Sequence, residues 1–308
     1  MPMTNRPRVV VAGALGKMGK AAVDTFIEHS KEFELVAGIV RDLGNVDPKI
    51  ISELDKHGVT LYDNLADVLH RGNVDILVEL TTPDSVYENS KLALANGVRP
   101  VIGATGLSDE DINELSKLCD KNHVGGIIAP NFAIGAILMM KFAAEAAKYM
   151  NRYEIIELHH DKKIDSPSGT AIKTAKLISL NAKGENKAGG LYTKSLSEKL
   201  PDARLARTEE AELTNASMMT PKGERNNADG TLQTGSKARG DIHYGVPIHS
   251  IRLQGFVASQ EVIFGGLGQT LTIKHDTIDR SSFMPGILIA CEKVMKLNKL
   301  VYGLENLL

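Results

Sequence analysis

Between Glu157 and Ala171 the chain places two adjacent histidines, His159 and His160, then Lys163, then a Pro167-Ser168-Gly169-Thr170 turn. Histidine titrates near neutral pH and is the natural general acid there. Lysine adds a positive charge. Ser-Gly-Thr can open a helix whose free N–H groups and dipole hold a carboxylate or phosphate. A proton donor, a charge and an anion cradle in one segment are what chemistry on a small, carboxylate-bearing substrate requires. Taken singly, each part has a plainer reading: Ser-Gly-Thr as an N-cap after a strand and loop, His-His as a structural pair at a strand end. Their combination with Lys163 favours chemistry.

The pattern around the segment predicts what positions it. Tyr153 to Leu158 reads as a strand, with Ile155, Ile156 and Leu158 apolar among polar residues. Pro167 disfavours helix in the residue before it. Beyond Gly169, Ala171, Ile172, Ala175, Leu177 and Ile178 recur at helical spacing. Ser168, Gly169 and Thr170 therefore fall at a predicted helix N-terminus.

A second constellation opens the chain. Val9 to Ala12 is a short apolar run, read as a buried parallel strand. It is followed by Gly13-Ala14-Leu15-Gly16-Lys17-Met18-Gly19 and a helix carrying Ala21, Ala22, Val23, Phe26 and Ile27. Strand, glycine turn and helix form the context of a dinucleotide fingerprint, in which glycines let the backbone approach a pyrophosphate. Leu15 stands where the usual pattern has its second glycine, so the motif alone also fits an ordinary glycine-rich turn. The next strand, Glu34–Ile39, runs into Val40-Arg41-Asp42. Arg41 there favours the 2′-phosphate of NADPH. Asp42 is one residue late for a ribose hydroxyl but within reach, so NADH use stays open, as does a solvated Arg41.

Further strands follow in βα rhythm. Val74–Glu79 runs into Thr81-Thr82-Pro83, Arg99–Ile102 into Gly103-Ala104-Thr105-Gly106, and Gly126–Ala129 into Pro130-Asn131-Phe132. Helical patterns over Ser85–Asn96 and Asp109–Lys121 separate them, the second after a Ser108-x-x-Asp111 capping signal. Loops at the carboxyl ends of such strands line the ligand crevice. The tips Gly103-Ala104-Thr105 and Ala129-Pro130-Asn131-Phe132 suit a nicotinamide and its ribose.

These residues resemble the 4-hydroxy-tetrahydrodipicolinate reductases (dihydrodipicolinate reductases) of lysine and diaminopimelate biosynthesis. The matches are the Gly13–Gly19 turn, Gly103-Ala104-Thr105-Gly106, Pro130-Asn131-Phe132 and the whole Glu157–Ala171 segment, which fits the specific pattern E-x-H-H-x-x-K-x-D-x-P-S-G-T-A. Ile248–Arg252, Gln260–Phe264, Gln269–His275, Asp279-Arg280 and Ser282-Phe283 also fit. The chain departs from the family at Ala104, where many members have Thr, and in a polar excess from about 182 to 237. The resemblance implies reduction of a cyclic imine dicarboxylate by NAD(P)H with loss of water. It implies His159 as proton donor, Lys163 as a second acid, and Ser168, Gly169 and Thr170 as a carboxylate clamp with His160 beside them. It also implies a homotetramer and a last helix, Met284–Lys296, that returns to the first domain. Another two-domain NAD(P)-dependent dehydrogenase and a non-catalytic nucleotide-binding regulator are the rival readings.

The expected fold is α/β: a Rossmann-type parallel-sheet domain over residues 1–131 and an α+β domain with a mixed or antiparallel sheet over 132–279, with 280–308 packed back on the first. The apolar stretches Val262–Phe264 and Leu271–Ile273 predict a sheet face that needs a partner. Closure about pivots near Phe132 and before the last helix follows from a cleft between domains. The polar stretch about 182–237, with some helix around Glu209–Glu212, reads as an arm, a flap or a surface insertion. A net charge of −2 gives no reason to expect nucleic acid or an anionic membrane. Cys119 and Cys291 predict buried free thiols rather than a disulfide. No C-x-x-C or H-E-x-x-H pattern points to a metal. The start lacks an apolar signal core, and the uncharged run Val124–Met140 is broken by Pro130 and glycines. A cytoplasmic enzyme without a membrane span is expected.

Overall fold

The computed structural model of the chain describes residues 6–182 and 240–308. The polar stretch read at about 182–237 lies outside the described residues, apart from Ala182.

The first sheet has seven parallel strands: β1 (Arg8–Ala12), β2 (Glu34–Ile39), β3 (Thr60–Tyr62), β4 (Ile76–Glu79), β5 (Arg99–Ile102), β6 (Gly126–Ile128) and β12 (Leu300–Tyr302). Their order is β12-β6-β5-β4-β1-β2-β3. Strands buried on both faces read as unbroken apolar runs, and Val9, Val10, Val11 and Ala12 are all fully buried. Helix α1 (Lys17–Glu28) covers one face with α8 (Met284–Val294). Helices α3 (Leu65–Leu69), α4 (Pro83–Ala95) and α5 (Asp109–Asn122) cover the other. Helix α2 (Pro48–Lys56) precedes β3. Ser108 and Asp111 form the expected reciprocal capping box at α5. α4 starts two residues earlier than its apolar pattern indicates, because Pro83 pre-sets the first turn.

The second sheet is mixed, in the order β11-β10-β7-β9-β8. It comprises β7 (Arg152–His159), β8 (Asp241–His243), β9 (Val246–Arg252), β10 (Ala258–Gly266) and β11 (Gln269–Thr277). β7 and β9 are parallel and the other pairs antiparallel. Helices α6 (Ile134–Ala146) and α7 (Gly169–Asn181) pack on one face of this sheet. Val262 and Phe264 are fully buried there, so they are core and not the uncovered surface that the apolar pattern indicated. Strand alternation puts Ile156, Leu158, Ile251 and Ile263 on the opposite face, where no described helix packs.

The chain passes from the first sheet to the second through Phe132 and returns through α8 and β12. The two crossings touch: a side chain on Gly286 would collide with the Phe132 carbonyl. β12 was not announced by the sequence pattern. Cys119 and Cys291 are free and fully buried, as expected, and burial raises both thiols, Cys119 to about 12.

Candidate active site

The strand order reverses between β4 and β1, and in open α/β sheets ligands bind at that point. A cleft with about 770 Å³ of space lies there, lined by Gly13, Leu15, Gly16, Val40, Arg41, Thr81, Thr82, Ser85 and Asn89, among others. Gly13 has φ +77°, and a Cβ on it would lie 2.8 Å from the Leu80 carbonyl oxygen. A Cβ on Gly19 would strike the Gly13 carbonyl. Only glycines let this turn fold against both β4 and α1. At the α1 N-terminus Gly16 supplies no side-chain cap and the first turn has no acidic residue. The free N–H groups there fit a pyrophosphate.

Arg41 is exposed at the rim of the cleft. Asp42 is turned into its own loop, accepting from Gly44 N at 2.9 Å and Asn45 Nδ2 at 2.5 Å. Ala14 is fully buried, while Lys17 and Met18 begin α1. Gly103, Ala104 and Thr105 follow β5, and a Cβ on Gly103 would press on the Phe132 ring and on Leu80. Ala129 and Phe132 are buried, and Pro130 is exposed. These two tips do not line the cleft, and of their residues only Asn131 lines the second pocket.

Sequence reading missed Glu79, at the end of β4. It is fully buried and accepts from Thr81 N at 2.8 Å, from the Thr81 hydroxyl and from Asn89 Nδ2 at 2.9 Å. Burial raises its pKa, against the lowering effect of those bonds. Glu79 thereby fixes the loop that forms one wall of the cleft. The available signal was a lone acid ending an apolar strand run.

The second pocket is assembled by register. On the helix-covered face, β11, β10, β7 and β9 align His275, Gln260, Glu157 and Ser250 in one row, and Thr277, Ala258, His159 and Arg252 in the next. The pocket is lined by Asn131, Ala136, Met139, His159, Ser168, Thr170, Ala258, Ser259, Gln260, His275 and Thr277. Ser168 is the N-cap of α7, its side chain accepting from Ala171 N at 3.2 Å. Asn131 Nδ2 donates to Thr170 Oγ1 at 3.3 Å, and Asn131 Oδ1 accepts from Ala133 N at 2.8 Å. The loop after β6 and the start of α7 are thus tied together.

Glu157 is fully buried and anchors the row. Arg252 meets it through two bonds, Nη2 to Oε1 at 2.7 Å and Nη1 to Oε2 at 3.0 Å. His159 Nδ1 bonds Oε2, and Ser168 N donates to Oε1 at 3.3 Å. Burial pushes this carboxyl up, but the bonds from His159, Arg252 and Ser250 outweigh it and hold the group at about 2. Burial lowers the His275 pKa. Glu157 shares the inward face of β7 with Tyr153 and Ile155, and a charge in that alternation was the signal that it needs a partner.

Of the residues singled out in the substrate segment, the structure brings His159, Ser168 and Thr170 into one pocket with Asn131. Gly169, at the first position of α7, and His160, after β7, are exposed. Lys163 does not line the pocket: its Nζ lies 2.7 Å from both carboxylate oxygens of Asp165. Ser259, Gln260, His275 and Thr277 line it without having been assigned a role. Among the described residues no cluster could hold a metal ion.

A doubly wound dinucleotide domain joined to a mixed-sheet layer, with a polar pocket near the join, defines the class of two-domain nucleotide-dependent oxidoreductases. Two family models match the chain, Dihydrodipicolinate reductase, N-terminus, over residues 7–132 and Dihydrodipicolinate reductase, C-terminus, over residues 135–308. The chain belongs to the dihydrodipicolinate reductase family. It is 46% identical over 305 residues to a 4-hydroxy-tetrahydrodipicolinate reductase of Lysinibacillus sphaericus, covering 98% of this chain and 99% of that one. It is 44% identical over 301 residues to the enzyme of that name in Shouchella clausii, covering 98% and 99%. A dipicolinate-bound dihydrodipicolinate reductase from Paenisporosarcina sp. TG-14 superposes with TM-score 0.71 at 38% identity, covering 98% of this chain and all of that one. An amine dehydrogenase of Mycobacterium smegmatis, 13% identical with TM-score 0.61 over 98% of this chain and 96% of that one, shares the fold alone.

Proposed function

We propose that the chain reduces 4-hydroxy-tetrahydrodipicolinate to tetrahydrodipicolinate, with loss of water, in the lysine and diaminopimelate route. The observation that carries this reading is His159, held by Glu157, in one pocket with the Ser168–Thr170 helix start. Relatives named for this activity match over nearly their whole length.

The turn Gly13-Ala14-Leu15-Gly16-Lys17-Met18 holds the pyrophosphate, and Arg41 meets the 2′-phosphate, which favours NADPH while leaving NADH usable. Gly103-Ala104-Thr105 and Ala129-Pro130-Asn131-Phe132 enclose the nicotinamide end. When bound, the cofactor supplies the hydride.

The substrate lies between this wall and the second sheet. The N-terminus of α7, at Ser168, Gly169 and Thr170, receives one carboxylate, with His160 beside it. The ring hydroxyl leaves as water, and a proton is needed to complete the reduction. His159 delivers it from Nε2, because Nδ1 is turned to Glu157. Lys163 exchanges its bond to Asp165 for the substrate and stabilises developing negative charge.

The units are residues 1–131 and 132–279, with 280–308 returning to the first. The sheet face with Ile156, Leu158, Ile251 and Ile263, on which no described helix packs, supports a homotetramer. No described helix is long and apolar enough to cross a membrane, and the cytoplasm is the proposed location. The test is NADPH oxidation with substrate freshly made from pyruvate and aspartate semialdehyde. Turnover that requires both precursors supports the reading, and none with NADPH or NADH overturns it.

A further inference from the structure

Gln260 breaks the apolar inner face of β10. Val262 and Phe264 continue that face as fully buried core, whereas Gln260, only 4% exposed, places an amide between His275 and Glu157. Its Nε2 donates to Thr174 Oγ1 at 2.8 Å. Thr174, fully buried one turn into α7, donates to the Thr170 carbonyl at 2.8 Å.

A hydroxyl carries one proton. Since that of Thr174 goes to Thr170, Gln260 must meet it with N–H, and this fixes which way the amide is turned. Gln260 Oε1 is left buried with no hydrogen-bond partner among the described residues. An amide with an unpaired acceptor is a poor choice for core packing alone. The bond to Thr174 is a long-range tie, from the middle of the sheet to the second turn of α7, which Thr174 joins to the first through the Thr170 carbonyl. Thr170 is then held at both ends, its carbonyl by Thr174 and its hydroxyl by Asn131.

We infer that Gln260 and Thr174 are positioning residues that hold the first turn of α7 so that its N–H groups converge on a substrate carboxylate. The inference rests on the proposed reading of Ser168–Thr170 as the carboxylate clamp. Register gives the tie its meaning, because Gln260 stands opposite Glu157, which holds His159. The clamp and the proton donor are referenced to the same row of the sheet.

The test compares Thr174→Val, which keeps the shape and removes the hydroxyl, with Thr174→Ser, which keeps the hydroxyl. Gln260→Met, similar in volume, breaks the tie from the other side. Dipicolinate, a planar dicarboxylate, is the probe, titrated into the full chain at saturating NADPH, alongside kcat, KM, NADPH Kd and melting temperature. Thr174→Val and Gln260→Met are expected to raise dipicolinate Kd and substrate KM about tenfold. NADPH Kd should stay within about twofold, and Thr174→Ser should behave as wild type. The double variant should be no worse than the poorer single one, since both break one tie. Unchanged dipicolinate binding in a folded Thr174→Val or Gln260→Met overturns the inference alone. So does an equal loss in Thr174→Ser, or an equal loss of NADPH affinity. A wild-type chain that binds no dipicolinate overturns the carboxylate reading and the inference with it.

Discussion

Glu157 accepts the Nδ1 proton of His159, two residues further along β7 and on the same face of the strand. The bond selects which histidine nitrogen faces the pocket, and Arg252 keeps the buried carboxylate charged. Removing one partner of a buried pair costs about 3–5 kcal/mol, because the other charge is left unpaired. Glu157→Gln should therefore lower the melting temperature.

The same pair sets an acid dependence. The folded-state pKa of Glu157, about 2, lies below its ordinary 4.5. A depressed carboxylate contributes stability above the ordinary value and loses it as pH falls through the folded one. The gap in melting temperature between wild type and Glu157→Gln should be widest above pH 4.5 and close as pH falls toward 2. A gap that stays constant across that window would contradict the assignment of Glu157 as the charged partner.

Arg41 sits on the cofactor cleft, and the Asp42 carboxylate is occupied by its own loop. Arg41→Ala should weaken NADPH by about 1.5–3 kcal/mol, the scale of a charge-assisted hydrogen bond, and leave NADH nearly unchanged. Titrating both cofactors checks this. A wild-type preference for NADH would mean that Asp42 leaves its loop to meet the ribose.

Gly286 lies against the Phe132 carbonyl where the two crossings between sheets meet. Gly286→Ala must push them apart, at about 1–3 kcal/mol of overpacking. Thermal unfolding and small-angle scattering with and without both ligands would read the effect on stability and closure. A variant with wild-type stability would show that this contact does not hold the two crossings together.

Assembly can be tested on the sheet face where no described helix packs. Light scattering should give four times the chain mass of 33.3 kDa at micromolar concentration. Ile263→Asp, on that face, should yield smaller species. A monomeric wild type would refute the tetramer.

Much of this was legible in the sequence because it depends on local rules. The apolar run before Gly13, the capping box at Ser108 and the Ser168 cap follow from neighbours within a few residues. β12 was hidden because three residues carry no periodicity, and its partner β6 lies far away in sequence. Gln260 and His275 acquire meaning only once antiparallel register sets them beside Glu157. Lys163 was placed by spacing, but its contact with Asp165 is a choice made in three dimensions. Val262 and Phe264 show the converse limit: their apolar character was plain, and which face they occupy was not.

His159 carries the central claim. kcat and NADPH Kd should be measured for His159→Gln, with Lys163→Ala alongside, using fresh substrate. Loss of a general acid should lower kcat by roughly 10²–10⁴-fold, with NADPH Kd nearly unchanged, because His159 ends β7 and Lys163 follows it, away from the Gly13–Gly19 turn. Near-normal turnover in both variants would contradict the account.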